Sequence, residues 1–221
     1  MIDAPVASCV ECPLGAQGAC AFIPRKVAAG TQLWPQGDVP REVLFVKRGL
    51  LARSVIDASG QELATAVRGP RSLLGVEALR GQPARASIEA LTDAVVCAAS
   101  PAAVRQSTGL MDSGSSHSAG QAANARNLWQ LTLDELLRVE RDGELRSGSA
   151  TSRVARFLLL GGGLIVSGGH GAFSKRHVAA LLGLRPETMS RCLRGLASAD
   201  LIETGREVRI LDEPGLRELA A

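Results

Sequence analysis

The chain has 221 residues, 46% of them hydrophobic, and a formal net charge of only +3. That length allows one large domain or two small ones, with apolar residues enough for packed cores. Aromatic residues make up 3% with no Tyr, which argues against base stacking on single-stranded nucleic acid as a main mode. No basic, apolar leader opens the sequence. The longest apolar run, Phe157 to Val166, falls short of a membrane span and is broken by Gly161-Gly162-Gly163. The expected setting is the cytoplasm without a membrane partner, where thiols stay reduced and clustered cysteines favour metal over disulfides.

Cys9, Cys12 and Cys20 stand in a Cys-x2-Cys-x7-Cys segment, and Cys97 ends an apolar run far along the chain. Together they can supply four thiolates to one centre. Soft thiolates suit zinc or an iron–sulfur cluster. Taken singly, Cys97 also reads as a small buried hydrophobe, and Cys9 and Cys12 as part of a tail. Cys192 falls among core positions of a helix and reads as structural.

Residues 21–100 read as short strands with turns. Val43 to Val46, Leu50 to Ile56, Gln61 to Val67 and Val95 to Cys97 are separated by glycine-containing corners. This spacing predicts a sandwich or barrel. Pro101 to Val104 opens a short helix, and Ser113 to Gly120 reads as a flexible joint. One long helix follows, from about Gln121 to Leu145. It carries Leu128, Leu131, Leu133, Leu136, Leu137 and Val139. So many apolar residues need a partner: the chain's own domain, or a second copy through a two-fold contact.

Between 153 and 194 the basic residues are Arg153, Arg156, Lys175, Arg176, Arg185, Arg191 and Arg194, against a single acid, Glu187. A locally basic segment in a near-neutral chain suits phosphate binding, or a solvated helix face. Ser174 can cap a helix from Lys175 to Leu182, with a turn at Gly183. Pro186 suits the first turn of the next helix. There Met189, Leu193 and Leu196 recur at core spacing, leaving Glu187, Ser190, Arg191 and Arg194 largely on another face. Arg191 can bond a guanine bidentately, and Glu187 can accept from a cytosine amino group. Leu201 to Ile210 alternates like a β-hairpin wing. The pattern is that of a helix-turn-helix lying in the major groove of double-stranded DNA.

The stretch Ala179 to Arg191 resembles the Crp/Fnr family of bacterial transcription regulators, whose recognition helix carries Glu-Thr, an aliphatic residue, Ser or Gly, then Arg. Gly30 to Asp38 is similar to the family's first β-roll strands. The resemblance spans about residues 23–212. It implies an α+β fold with a cyclic-nucleotide-binding-like β-roll, a long dimerisation helix and a C-terminal winged helix-turn-helix. The divisions it suggests are a cysteine-rich sensor loop (1–22), a β-roll sensor domain (23–112), a linker and dimerisation helix (113–149), and a DNA-binding domain (150–221). Val76 stands where the family's nucleotide binders place a ribose-binding Glu, and Arg85-Ala86-Ser87 lacks their adjacent Arg-Ser pair. Both argue against a nucleotide ligand.

The Fnr branch instead implies an oxygen-labile 4Fe-4S cluster on Cys9, Cys12, Cys20 and Cys97. Zinc, thiol redox, a small ligand in the β-roll, or no cofactor remain the alternatives. Cluster loading would favour the DNA-binding dimer, and oxygen would release it. The trio Glu187, Ser190 and Arg191 implies a TTGAT-N4-ATCAA-like palindrome, with Ser174, Lys175, Arg176, Arg185 and Arg194 on phosphates. The homodimer contact is assigned to Leu128, Leu131, Leu136 and Leu137, and an activator would also meet RNA polymerase. No Ser-His-Asp set, phosphate-binding glycine loop or carboxylate pair points to an enzyme.

Overall fold

The computed structural model describes residues 12–14, 20–58, 60, 62–109, 118–159, 175–205 and 208–220, with the backbone alone for 175–177. Strands β1 (Ile23–Val27), β2 (Gln32–Trp34), β3 (Val43–Arg48), β4 (Leu51–Ile56), β5 (Glu62–Arg68), β6 (Leu73–Leu74), β7 (Ser87–Ala90) and β8 (Ala94–Ala99) build the N-terminal half. They form two four-stranded sheets, ordered β1-β8-β3-β6 and β2-β7-β4-β5. A 3-10 helix, Val76–Arg80, follows β6.

Strand alternation gives the first sheet two buried faces. In the antiparallel β3–β8 pair, Leu44 opposes Ala98 and Val46 opposes Val96. These four join Leu51, Ile88 and Ala90 of the second sheet in one core. The intervening residues, Val43 opposite Ala99 and Phe45 opposite Cys97, point the other way. They enter a second core with Cys12, Leu14, Phe22, Val104, Leu128 and Leu131. A one-residue slip would exchange the two sets.

Glycine is required at two corners. Gly49 has φ +89 and Gly75 φ +73, both left-handed. A Cβ at Gly49 would lie 2.7 Å from the Ala94 Cα, and one at Gly75 2.6 Å from the Glu42 carbonyl oxygen.

Helix α1 (Pro101–Thr108) starts where Ser100 Oγ accepts from the Ala103 amide, with Pro101 in its first turn. Helix α2 (Ala119–Glu144) opens on a capping box. Ser118 Oγ accepts from the Gln121 amide at 3.2 Å, and Gln121 Oε1 from the Ser118 amide at 3.0 Å. The flexible joint read at 113–120 lies mostly outside the described residues.

Helices α3 (Ala150–Phe157), α4 (Lys175–Leu181), α5 (Pro186–Ser198) and α6 (Glu213–Ala220) follow, with strands β9 (Ile202–Thr204) and β10 (Val208–Ile210) between the last two. The two strands pair antiparallel as the wing, Ile202 opposite Ile210. The described residues fall into two compact units, one drawn from 3–53 and 67–138, the other from 54–66 and 139–221. Val154, Phe157, Val178, Leu182, Met189, Leu193, Leu196, Ile202 and Leu216 are buried in the second. The helix end read at Gly161-Gly162-Gly163 lies outside the described residues. Among the described residues, no helix is long and apolar enough to cross a membrane.

Candidate functional site

Helices α4 and α5 are joined by a tight turn. Gly183 adopts φ +64, and the Leu184 amide donates back to the Ala179 carbonyl at 2.8 Å. Met189, Leu193 and Leu196 anchor α5 in the core. Glu187, Ser190, Arg191 and Arg194 are all exposed. Their spacing of i, i+3, i+4 and i+7 makes one ridge along the helix. Arg185 is exposed at the N-cap of the same helix. Lys175 and Arg176 occupy the start of α4. Ser174 and its proposed cap lie outside the described residues.

Two arginines of the basic segment serve elsewhere, which corrects the footprint read from charge. Arg153 Nε donates to the Gly148 carbonyl at 3.0 Å and Nη1 to that of Leu182 at 3.3 Å. Arg156 Nη1 donates to the Glu144 carbonyl at 2.6 Å and the Ser147 carbonyl at 3.2 Å. Its Nε donates to the Ala220 carbonyl at 2.9 Å. These donors meet oxygens of the chain itself, most of them main-chain, and neither residue is among those assigned to phosphates. A third arginine, Arg146, donates from Nε to the Leu181 carbonyl at 3.0 Å.

The long helix has two unlike faces. Leu128 and Leu131 are buried within the protomer, Leu131 at 1% exposure, in the core that also holds Cys97. This corrects their assignment to a dimer contact: the chain's own domain already covers them. One and two turns on, Glu135 and Arg138 continue that face. Arg68, buried on β5, pairs through Nε with Glu135, whose other oxygen lies 3.6 Å from Arg138 Nη1. Arg138 also donates to the Arg71 carbonyl at 3.3 Å. Neither charge needs to be stranded, which is what makes burying Arg68 tolerable. On the opposite face Trp129 (62% exposed), Leu133, Leu136 (56%) and Leu137 (49%) form a stripe at i, i+4, i+7 and i+8. Trp129 was missed as a candidate, and Leu133, read among the apolar residues of the helix, was left out of the dimer contact, although the helical spacing from Leu136 and Leu137 points to both.

Cys12 and Cys97 are buried and belong to the same core, while Cys20 is exposed. Cys20 lies three residues before β1, which pairs with the Cys97 strand, Pro24 opposite Cys97. Cys9 lies outside the described residues. Among the described residues no three His, Cys, Asp or Glu side chains gather as a metal site. Thiolates are the soft donors that an iron–sulfur or zinc centre takes; Cys12 and Cys97 share one buried cluster, and Cys20 is exposed. Cys192 is half-buried on α5 and accepts a weak hydrogen bond from Thr151 Oγ1 at 3.8 Å. Val76 and Arg85, at the positions that argued against a nucleotide, are both exposed.

A β-roll followed by a winged helix-turn-helix with an exposed polar ridge defines a DNA-binding regulator. Residues 24–108 match the model of the cyclic nucleotide-binding domain, and residues 152–219 that of the Crp-like helix-turn-helix domain. The transcriptional activator protein FnrA of Stutzerimonas stutzeri is 26% identical over 208 residues, covering 89% of this chain and 80% of that one. The structure of FixK2 from Bradyrhizobium japonicum superposes with a TM-score of 0.71 at 23% identity, covering 90% of this chain and 98% of that one. A CRP-family transcriptional regulator from Thermus thermophilus gives a TM-score of 0.67 at 24% identity, covering 89% and 96%. The chain belongs to the Crp/Fnr family of transcription regulators.

Proposed function

We propose that the chain is a homodimeric regulator that senses oxygen or redox state through Cys9, Cys12, Cys20 and Cys97 and reads a TTGAT-N4-ATCAA-like palindrome. The observation that carries this reading is one shared core: Cys12 and Cys97 pack in the same cluster as Leu128 and Leu131 of α2. A change at the thiols is thereby felt by the helix whose opposite face is apolar and exposed. Likeness to FnrA supports the sensor assignment and, since that protein is an activator, supports RNA polymerase as a partner. Cys9, Cys12, Cys20 and Cys97 would hold a 4Fe-4S cluster by their thiolates, and the group would supply the redox chemistry to which oxygen responds.

The rest is the chain's own work. Trp129, Leu133, Leu136 and Leu137 meet their copies across a two-fold axis, which sets the two α5 helices one helical turn of DNA apart. Arg191 bonds a guanine, Glu187 accepts from a cytosine amino group, and Ser190 bonds a neighbouring base edge. Arg185, Arg194, Lys175, Arg176 and Ser174 hold phosphates. The response is a population shift between two dimer arrangements, biased from the thiol-containing core.

The test is anisotropy titration of a labelled palindrome with anaerobically prepared protein, before and after air. Binding at least about tenfold tighter before air, with the difference lost in the Cys9, Cys12, Cys20 and Cys97→Ser variant, is the expected result. An equal response in that variant contradicts the sensor. The exposure of Cys20 favours a second reading, in which the thiols themselves are the redox groups and no metal is held.

A further inference from the structure

The segment between α2 and α3 has the composition of a soft hinge. It is short, it contains Gly148 at φ +82, and it follows the last turn of a helix, where the Glu144 carbonyl accepts from the Ser147 amide at 3.0 Å and the Ser147 hydroxyl at 2.8 Å. Three guanidiniums bind carbonyls at the end of α2, in this segment and in distant parts of the same unit. Arg156 alone joins Glu144 at the end of α2, Ser147 in the hinge, Ser152 on α3 (Oγ at 2.8 Å) and Ala220 at the end of α6. Arg153 joins Gly148 of the hinge to Leu182, one residue past α4. Arg146, within the hinge, reaches Leu181, the last residue of α4. Leu181 and Leu182 lead straight into the turn that starts the recognition helix. A planar fork with five donors can bridge several carbonyls at once, which an ammonium cannot do in the same fixed geometry.

We propose that Arg146, Arg153 and Arg156 are positioning residues: a guanidinium clamp that fixes the angle between the end of α2 and the recognition helix, and so dictates which half-site spacing the dimer accepts. The proposal rests on the homodimer and palindrome reading above. Inserting one base pair between half-sites moves them about 3.4 Å apart along the axis and turns one by roughly a tenth of a helical turn. A clamped hinge rejects that change, and a freed one follows it.

The experiment measures binding of the full-length, anaerobically prepared chain to duplexes with N4, N5 and N6 spacers, for wild type, Arg156→Gln and Arg153→Gln. Wild type prefers N4, and each variant narrows its N4-to-N5 affinity ratio by about fivefold or more. A variant that is merely less stable loses active protein equally for every duplex, so the ratio does not move. Arg156→Lys, which keeps the charge but not the fork, gives a ratio close to that of Arg156→Gln. Unchanged ratios in the Gln variants, or a wild type that binds all three spacers alike, overturn the clamp. A wild type that binds no palindrome overturns the proposed function first, and the clamp with it.

Discussion

Arginines of one short segment divide by what their guanidiniums meet. Arg191 is exposed beside Glu187 and Ser190 on α5, whereas main-chain carbonyls engage Arg153 and Arg156. Arg191→Ala is expected to weaken palindrome binding by about 1–3 kcal/mol and to flatten preference at its guanine, as read by titrating single-base variants. Equal losses at every position would make Arg191 a phosphate contact instead. The ridge was legible in the sequence because helical spacing separates Met189, Leu193 and Leu196 from the polar residues. The fate of Arg153 and Arg156 was not. Their acceptors at Leu182 and Ala220 lie 29 and 64 residues away, and only the folded chain brings those carbonyls within reach.

At the scale of the element, α2 carries two apolar faces with different tasks. The sequence shows that the helix needs a partner but leaves open whether that partner is its own domain or a copy, because both solutions use the same 3.6-residue period. Burial assigns Leu128 and Leu131 to the protomer core and leaves Trp129, Leu133, Leu136 and Leu137 outside it. Leu131→Ala should therefore lower stability by about 2–5 kcal/mol in urea unfolding, with the sedimenting species still a dimer. Leu136→Lys with Leu137→Lys should give a monomer by sedimentation velocity while the protomer keeps its helix content and unfolding midpoint. A dimer that survives the double substitution would place the contact elsewhere.

For the whole molecule, a strand-rich first half and a helix-turn-helix with a wing were legible because short alternating strands, glycine corners and a helix pair joined at a glycine are local signals, while the β-roll itself came from the resemblance carried by Gly30 to Asp38. Cys97 shows where local signals stop. Its place opposite Phe45, on the helix-facing side of the sheet, follows from pairing register, which a strand does not encode alone. Cys12 reaches the same core from far earlier in the chain, and Cys20 stays outside it. A core that α2 shares with Cys12 and Cys97 is the centre of this account, and the metal content of the chain tests it most directly. The chain should be purified without air and analysed for iron, acid-labile sulfide and zinc alongside its visible spectrum. About four irons and four sulfides per chain, with the visible absorbance bleaching in air, is the predicted result. Stoichiometric zinc with no visible band, or no metal at all, would contradict it.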